Sequence, residues 1–203
     1  MNRQHPRPRR RKLLDALRDA GVFAAPGFLD EGDCRRIRLG MDRGLVEAAE
    51  VLDRGMEQHV RRASNVDVDR ELIDMVERRL DAIRADLAAF FGVPLGDREG
   101  AGFLRYPAGG FYKPHRDRGE SADWPDAARR QVSVVIFLNS STRVDAGGDF
   151  GGGALELCVD TEPLDVNPER GLLLAFRADV LHQVTRVSDG TRDTIVDWYY
   201  AAG

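Results

Sequence analysis

Apolar side chains recur at three- and four-residue steps through Leu72, Ile73, Val76, Leu80, Ile83, Leu87 and Phe90, the period of one face of an α-helix. That face must pack on something large. A similar texture predicts helix through most of the stretch from Leu13 to Phe91. Asp30, ahead of Glu31 and Asp33, marks a helix start, since a side-chain oxygen there accepts from unpaired backbone N–H groups and acids favour the positive helix end. Gly92 and Pro94 end the second helix.

From Gly102 onward the pattern changes to short β-like runs split by glycine and proline: Phe103 to Tyr106, Val132 to Leu138, Ala154 to Val159, Gly171 to Phe176 and Thr194 to Tyr200. Helices first and strands afterwards predict an α+β fold, with helices bracing a sheet that is rolled up or doubled into a sandwich. Ser188-Asp189-Gly190 reads as the turn of a hairpin that sets Arg192 beside the strand carrying His182. Asp145 to Gly153 is glycine-rich like a phosphate loop, but no Lys-Ser/Thr follows and a strand comes next, so it reads as a flexible loop between strands.

Length and charge narrow this picture. A chain of 203 residues suits one domain: residues 13–203, helical over 13–92 and β-rich over 101–203. Arg7, Arg9, Arg10, Arg11 and Lys12, interrupted by Pro6 and Pro8, make residues 1–12 a disordered basic tail, with a phosphate-binding arm as the sharper alternative. The net charge of -4 gives no reason to expect nucleic acid or anionic membrane as partner. No stretch reaches the roughly 18 to 20 apolar residues that cross a bilayer, and no secretory signal follows the basic start. The expected location is cytoplasmic and the expected partner a small-molecule or peptide substrate. Cys34 and Cys158 are too few for a disulfide framework and form no CxxC pair.

The candidate chemistry lies in His115, Asp117 and His182. In an extended segment, residues two apart point to one side, so His115 and Asp117 reach one ion from a single strand end, and His182 joins them from the end of the Leu172 to Phe176 strand region. Two imidazoles and a carboxylate suit Fe(II) and leave positions open for a co-substrate and dioxygen. A His-x-Asp pair alone is weak evidence, and a lone histidine, such as His5 or His59, is more often a core or surface residue. Ten residues beyond His182 stands Arg192, whose guanidinium suits a two-pronged bond to a carboxylate; taken alone, such a residue is more often a solvated strand-end charge.

Together these features resemble the Fe(II)- and 2-oxoglutarate-dependent dioxygenases, most closely their prolyl 4-hydroxylase-like branch. Arg105-Tyr106-Pro107-x-Gly109-Gly110-Phe111-Tyr112-x-x-His115-x-Asp117 is similar to the family's first metal motif, and Val132 to Asn139 to the core strand ending in Leu-Asn. Gly152-Gly153-Ala154-Leu155, Gly171 to Phe176, His182-x-Val184, Gly190-x-Arg192 and Trp198 complete the series. Residues 1 to 90 match only in being helical.

The resemblance implies a double-stranded β-helix, or jelly roll, with supporting helices. It implies Fe(II) held by His115, Asp117 and His182, with 2-oxoglutarate and dioxygen as co-substrates and Arg192 on the distal carboxylate. Tyr106 would border the co-substrate. Where some relatives have a tyrosine assisting the arginine, this chain has Phe137, leaving Ser133, Thr194 or water to take over. The acid at Asp117 favours hydroxylation over halogenation, since related halogenases carry a small residue there. The expected reaction couples oxidative decarboxylation of 2-oxoglutarate to hydroxylation of an unactivated C–H bond in an amino acid, peptidyl proline or natural-product intermediate. Desaturation, epoxidation or cyclisation at the same site, a noncatalytic metal or 2-oxoglutarate sensor, and a cupin-like enzyme without 2-oxoglutarate remain alternatives. Candidate substrate residues are Arg62, Tyr112, Arg116, Trp124 and Trp198. Gly119 to Arg130 reads either as a lid or as an exposed loop, and Ser64 or Asn65 as a possible helix start.

Overall fold

The structure, a computed structural model, describes residues 8–49, 60–120, 125–144, 147–159 and 163–203. Its helices are α1 (Pro8–Asp19), α2 (Glu31–Met41) and α3 (Arg70–Phe91). α2 starts where the acids predict, with the Asp30 carboxylate accepting from Asp33 N at 2.8 Å. Along α3 the predicted ladder buries Leu72, Val76, Leu80 and Leu87, flanked by partly buried Ile73, Ile83 and Phe90. Gly92 stops that helix at φ 65, a left-handed value that costs glycine no Cβ clash.

Short strands β1 (Phe23–Ala25), β2 (Val46–Ala48), β3 (Arg61–Arg62) and β4 (Ser64–Val66) lie between the helices. After α3 come β5 (Leu95–Arg98), β6 (Gly102–Pro107), β7 (Phe111–His115), β8 (Arg130–Phe137) and β9 (Phe150–Gly152). The last five are β10 (Leu155–Cys158), β11 (Leu164–Val166), β12 (Leu173–Arg177), β13 (Leu181–Val184) and β14 (Val187–Ala201). Among the described residues they form a 9-stranded sheet, ordered β1-β12-β8-β14-β6-β4-β2 with β5 and β9 also on β14, and a 5-stranded sheet ordered β11-β10-β13-β7-β3.

α2 and α3 cover one face of the larger sheet and the smaller sheet packs on the other, with Leu17 of α1 joining that second core, giving a jelly-roll-like sandwich. β8 shows why its sequence is a continuous apolar run: side chains alternate between faces, and both faces are buried. Val132, Val134 and Ile136 join Leu80 and Leu87 in the helix-side core. Val135 and Phe137 join Leu155, Leu157 and Val184 between the sheets.

Several expectations change. Residues 13–92 are not helical throughout: β1 to β4 interrupt them, and Ser64 and Asn65 lie in β4, so helix resumes only after Asp69. These strands are two or three residues long, too short for an alternation to register, and β3 and β4 carry Arg, Ser and Asn besides. Within the expected tail, residues 8–12 form the start of α1, and Arg10 pairs with Glu169 at 2.7 Å; residues 1–7 and His5 lie outside the described residues, as does His59. Part of the expected glycine-rich loop is strand β9, paired with β14. No β13–β14 hairpin forms: β13 pairs with β10 and β7 in the smaller sheet, whereas β14 pairs with β9, β6, β8 and β5. His182 likewise is on β13, across the sandwich from β12. Among the described residues no helix is long and apolar enough to cross a membrane.

Candidate active site

β7 and β13 run antiparallel with His115 directly opposite His182. Asp117 follows two residues past the end of β7, and a ligand atom from each of the three side chains lies within 4.8 Å of the others. His115 Nε2 is 3.5 Å from Asp117 Oδ1 and His182 Nε2 is 3.6 Å from Asp117 Oδ2.

Each histidine is oriented from behind. Nδ1 of His115 faces Lys113 O at 2.9 Å and Nδ1 of His182 faces Val180 O at 3.0 Å. A backbone carbonyl only accepts, so each Nδ1 donates to it, and each Nε2 is turned toward Asp117. Tyr112 stacks on His115 with ring centroids 3.4 Å apart, and Phe176 meets His182 edge-on at 4.9 Å. Burial pushes the His182 imidazole down to about 4, against the pull of Asp117, so the ring is neutral near pH 7. Burial would raise the Asp117 carboxyl, but His182, His115 and the Ser133 hydroxyl outweigh it and hold the acid well below the usual carboxylate range. Two imidazoles and one carboxylate are a donor set that Fe(II) takes.

Arg192 enters the same cavity from the larger sheet. It is 1% exposed, and its Nε and Nη1 have no hydrogen-bond partner. The rings of Tyr106 and Phe137 lie 4.9 Å and 5.3 Å from the guanidinium. Burial lowers its pKa, opposed by Tyr106 and Asp193, yet an arginine stays charged in proteins. A desolvated cation with unfilled donors is costly unless a ligand completes it, and a carboxylate matches its fork. The residues therefore fit both iron and a dicarboxylate co-substrate.

The cavity, of about 200 Å³, is lined by His115, Asp117, His182, Arg192, Tyr106, Thr194, Tyr112, Arg116 and Trp198, all predicted from the sequence. Ser133 is in a different place from the one foreseen: its hydroxyl donates to Asp117 Oδ2 at 2.6 Å. Thr194 donates to Ile136 O at 2.8 Å. Arg62 is exposed and is not part of the cavity wall, and Trp124 lies outside the described residues. Missed by sequence reasoning were Glu99 and Arg130. Arg130 Nε and Nη2 bond the two Glu99 oxygens at 2.6 Å and 2.5 Å, Nη1 reaches Asp117 O at 3.1 Å, and the guanidinium lies 3.9 Å from the Trp198 ring centre. Nothing local signals this pairing across 31 residues, although an arginine opening an apolar strand was a cue.

Gly153 makes room for the arginine. Its φ is +62, and a Cβ there would lie 3.0 Å from both Arg192 Cδ and Phe150 Cε2. Gly153→Ala is expected to cost about 1–3 kcal/mol through left-handed strain and to weaken 2-oxoglutarate binding. Thermal melting and a co-substrate titration measure both, and unchanged binding would show that Arg192 is not displaced.

The sequence model of the 2OG-Fe(II) oxygenase superfamily matches residues 101–200. No curated protein matches the chain in sequence. Among solved structures, a prolyl-4-hydroxylase of Pseudomonas putida is 25% identical with a TM-score of 0.71, over 95% of this chain and 99% of that one. A prolyl hydroxylase of Trichoplax adhaerens, solved with a hypoxia inducible factor oxygen degradation domain peptide fragment, is 17% identical with a TM-score of 0.75, over 98% and 94%. The viral collagen prolyl hydroxylase of Paramecium Bursaria Chlorella virus-1, in its 2OG complex, is 18% identical with a TM-score of 0.62, over 90% and 96%. The last two are likenesses of fold.

Proposed function

Since this chain belongs, through residues 101–200, to the 2OG-Fe(II) oxygenase superfamily, we propose that His115, Asp117 and His182 hold Fe(II), that Arg192 takes the distal carboxylate of 2-oxoglutarate, and that the site hydroxylates an unactivated C–H bond. The observation that carries this reading is the buried guanidinium of Arg192, unfilled at Nε and Nη1, in the same cavity as the three candidate ligands.

Iron, when bound, would let dioxygen act as the oxidant, taking two electrons from 2-oxoglutarate, which leaves as succinate and CO2, and two from the target C–H bond, with one oxygen atom ending in succinate and the other in the product. The chain supplies position. The backbone carbonyls of Lys113 and Val180 fix the two imidazoles, and Ser133 holds one Asp117 oxygen so that the carboxylate cannot swing freely. Arg192 orients the co-substrate along the cavity, and the rings of Tyr106 and Phe137 keep water from its guanidinium, which strengthens a carboxylate bond there. Phe137 donates nothing. On β14, two residues beyond Arg192, Thr194 keeps lone pairs available but has already given its proton to Ile136 O.

Tyr112, Arg116 and Trp198 form the substrate side, Trp198 with an indole N–H that has no partner, suited to a carbonyl or hydroxyl acceptor. Likeness to the P. putida prolyl-4-hydroxylase over 95% of this chain supports a peptidyl prolyl group as the first substrate to try. A free amino acid and a natural-product intermediate come next, in a cytoplasmic setting. Anaerobic addition of Fe(II) and 2-oxoglutarate should give a weak visible charge-transfer band. Proline-rich peptides or amino acids should then raise succinate formation, with a product heavier by one oxygen. Absence of both the band and 2-oxoglutarate binding removes the proposal; a product lighter by two hydrogens makes the reaction a desaturation.

A further inference from the structure

Asn139 is fully buried and sits just past the end of β8, where that strand's pairing with β14 stops at Phe137 opposite Thr194. Its Oδ1 accepts from Asp193 N at 3.0 Å and its Nδ2 donates to Thr191 O at 2.8 Å. These two backbone groups flank Arg192. In a strand, successive residues turn their backbone groups to opposite edges, so Thr191 and Asp193 face β8 while Arg192 pairs with Tyr106 on β6. Leu138 N still reaches Asp193 O at 3.1 Å, and the Asn139 side-chain amide takes up Asp193 N and Thr191 O on the same edge.

We propose that Asn139 is a positioning residue for the co-substrate anchor: one side-chain amide fixes the peptide groups on either side of Arg192 and so sets the direction of its guanidinium. The inference rests on the reading of Arg192 as the carboxylate anchor. A guanidinium unpartnered at Nε and Nη1 takes little of its aim from hydrogen bonds of its own, and the backbone beneath it carries that task. The opposite face of the strand is fastened to match. The Asp193 carboxylate, fully buried, accepts from Arg105 Nε at 2.7 Å and Arg38 Nε at 3.0 Å, so residue 193 is held through both its backbone and its side chain.

Supporting groups of this kind commonly alter ligand affinity by about 10–100-fold when removed. Protein loaded with Mn(II) in place of Fe(II) would be titrated by calorimetry with 2-oxoglutarate and with 2-oxobutyrate, which lacks the distal carboxylate. Asn139→Ala is expected to weaken 2-oxoglutarate about tenfold while leaving Mn(II) and 2-oxobutyrate affinity unchanged, and to add nothing in an Arg192→Met background. In the metal-free protein the Asp193 amide should exchange hydrogen faster. If Asn139→Ala does not fold, Asn139→Asp serves instead, keeping the acceptor for Asp193 N–H and losing the donation to Thr191 O. Equal loss for both ligands and the metal, or no loss for either, overturns the positioning role. If Arg192→Met alone leaves 2-oxoglutarate affinity unchanged, the anchor reading itself fails, an outcome distinct from failure of Asn139.

Discussion

Arg192→Met separates two quantities that usually move together: the metal-free protein becomes more stable while 2-oxoglutarate binding collapses. The methionine keeps much of the arginine's length and packs between Tyr106 and Phe137, and the buried charge with two unfilled donors disappears. Replacing an uncompensated buried ionic group by an apolar one of similar volume is often stabilising, by about 1–4 kcal/mol. Loss of one partner from a desolvated charge pair costs about 2–5 kcal/mol of binding, so 2-oxoglutarate affinity should fall roughly 30- to 4,000-fold at about 1.4 kcal/mol per decade. Metal affinity should stay put, because no candidate ligand touches the substituted side chain. Denaturant melts and calorimetry read the two arms separately. A variant that binds 2-oxoglutarate as well as the parent would favour a metal enzyme that does without this co-substrate.

His182→Ala should remove metal binding and, with it, turnover. His182 is 5% exposed, its Nδ1 is committed to Val180 O, and its Nε2 faces the carboxylate shared with His115. Outer partners of metal ligands alone are worth about 10–100-fold in affinity or activity; removal of a ligand itself should exceed that, with succinate formation below detection. Equilibrium dialysis with Mn(II) and a succinate assay check the two effects. Retention of parental metal affinity would mean that the ion sits elsewhere or is held by another group.

Much of this was legible in the sequence for physical reasons that can be named. α3 was readable because its apolar ladder has the helix period and its stop is a glycine. The pair His115 and Asp117 was readable because strand geometry puts neighbours two apart on one side. His182 and Arg192 were singled out by type and spacing, but their placement was not: the turn residues Ser188, Asp189 and Gly190 suggested a local hairpin, whereas all three lie within β14, whose register against β9 shifts between Val187 and Asp189. Ser133 was offered to the co-substrate and serves Asp117 instead. That contact, the Glu99–Arg130 pair and the Asn139 bridge all depend on which strands lie side by side, and short polar strands such as β3 and β4 leave too little periodicity to tell.

The division of the cavity between two sheets has a consequence for how the molecule is held closed. The candidate iron ligands belong to β7, β13 and the residues just beyond β7, in or beside the smaller sheet, whereas Arg192 projects from β14 in the larger one. A metal ion would bind at one leaf of the sandwich; 2-oxoglutarate, gripped by that ion at one end and by Arg192 at the other, would span both. The co-substrate would then be a removable cross-tie, consumed at every turnover and replaced from solution. Binding to the folded form alone adds stability that grows with the logarithm of ligand concentration, so the resistance of the two leaves to parting would follow the supply of a metabolite.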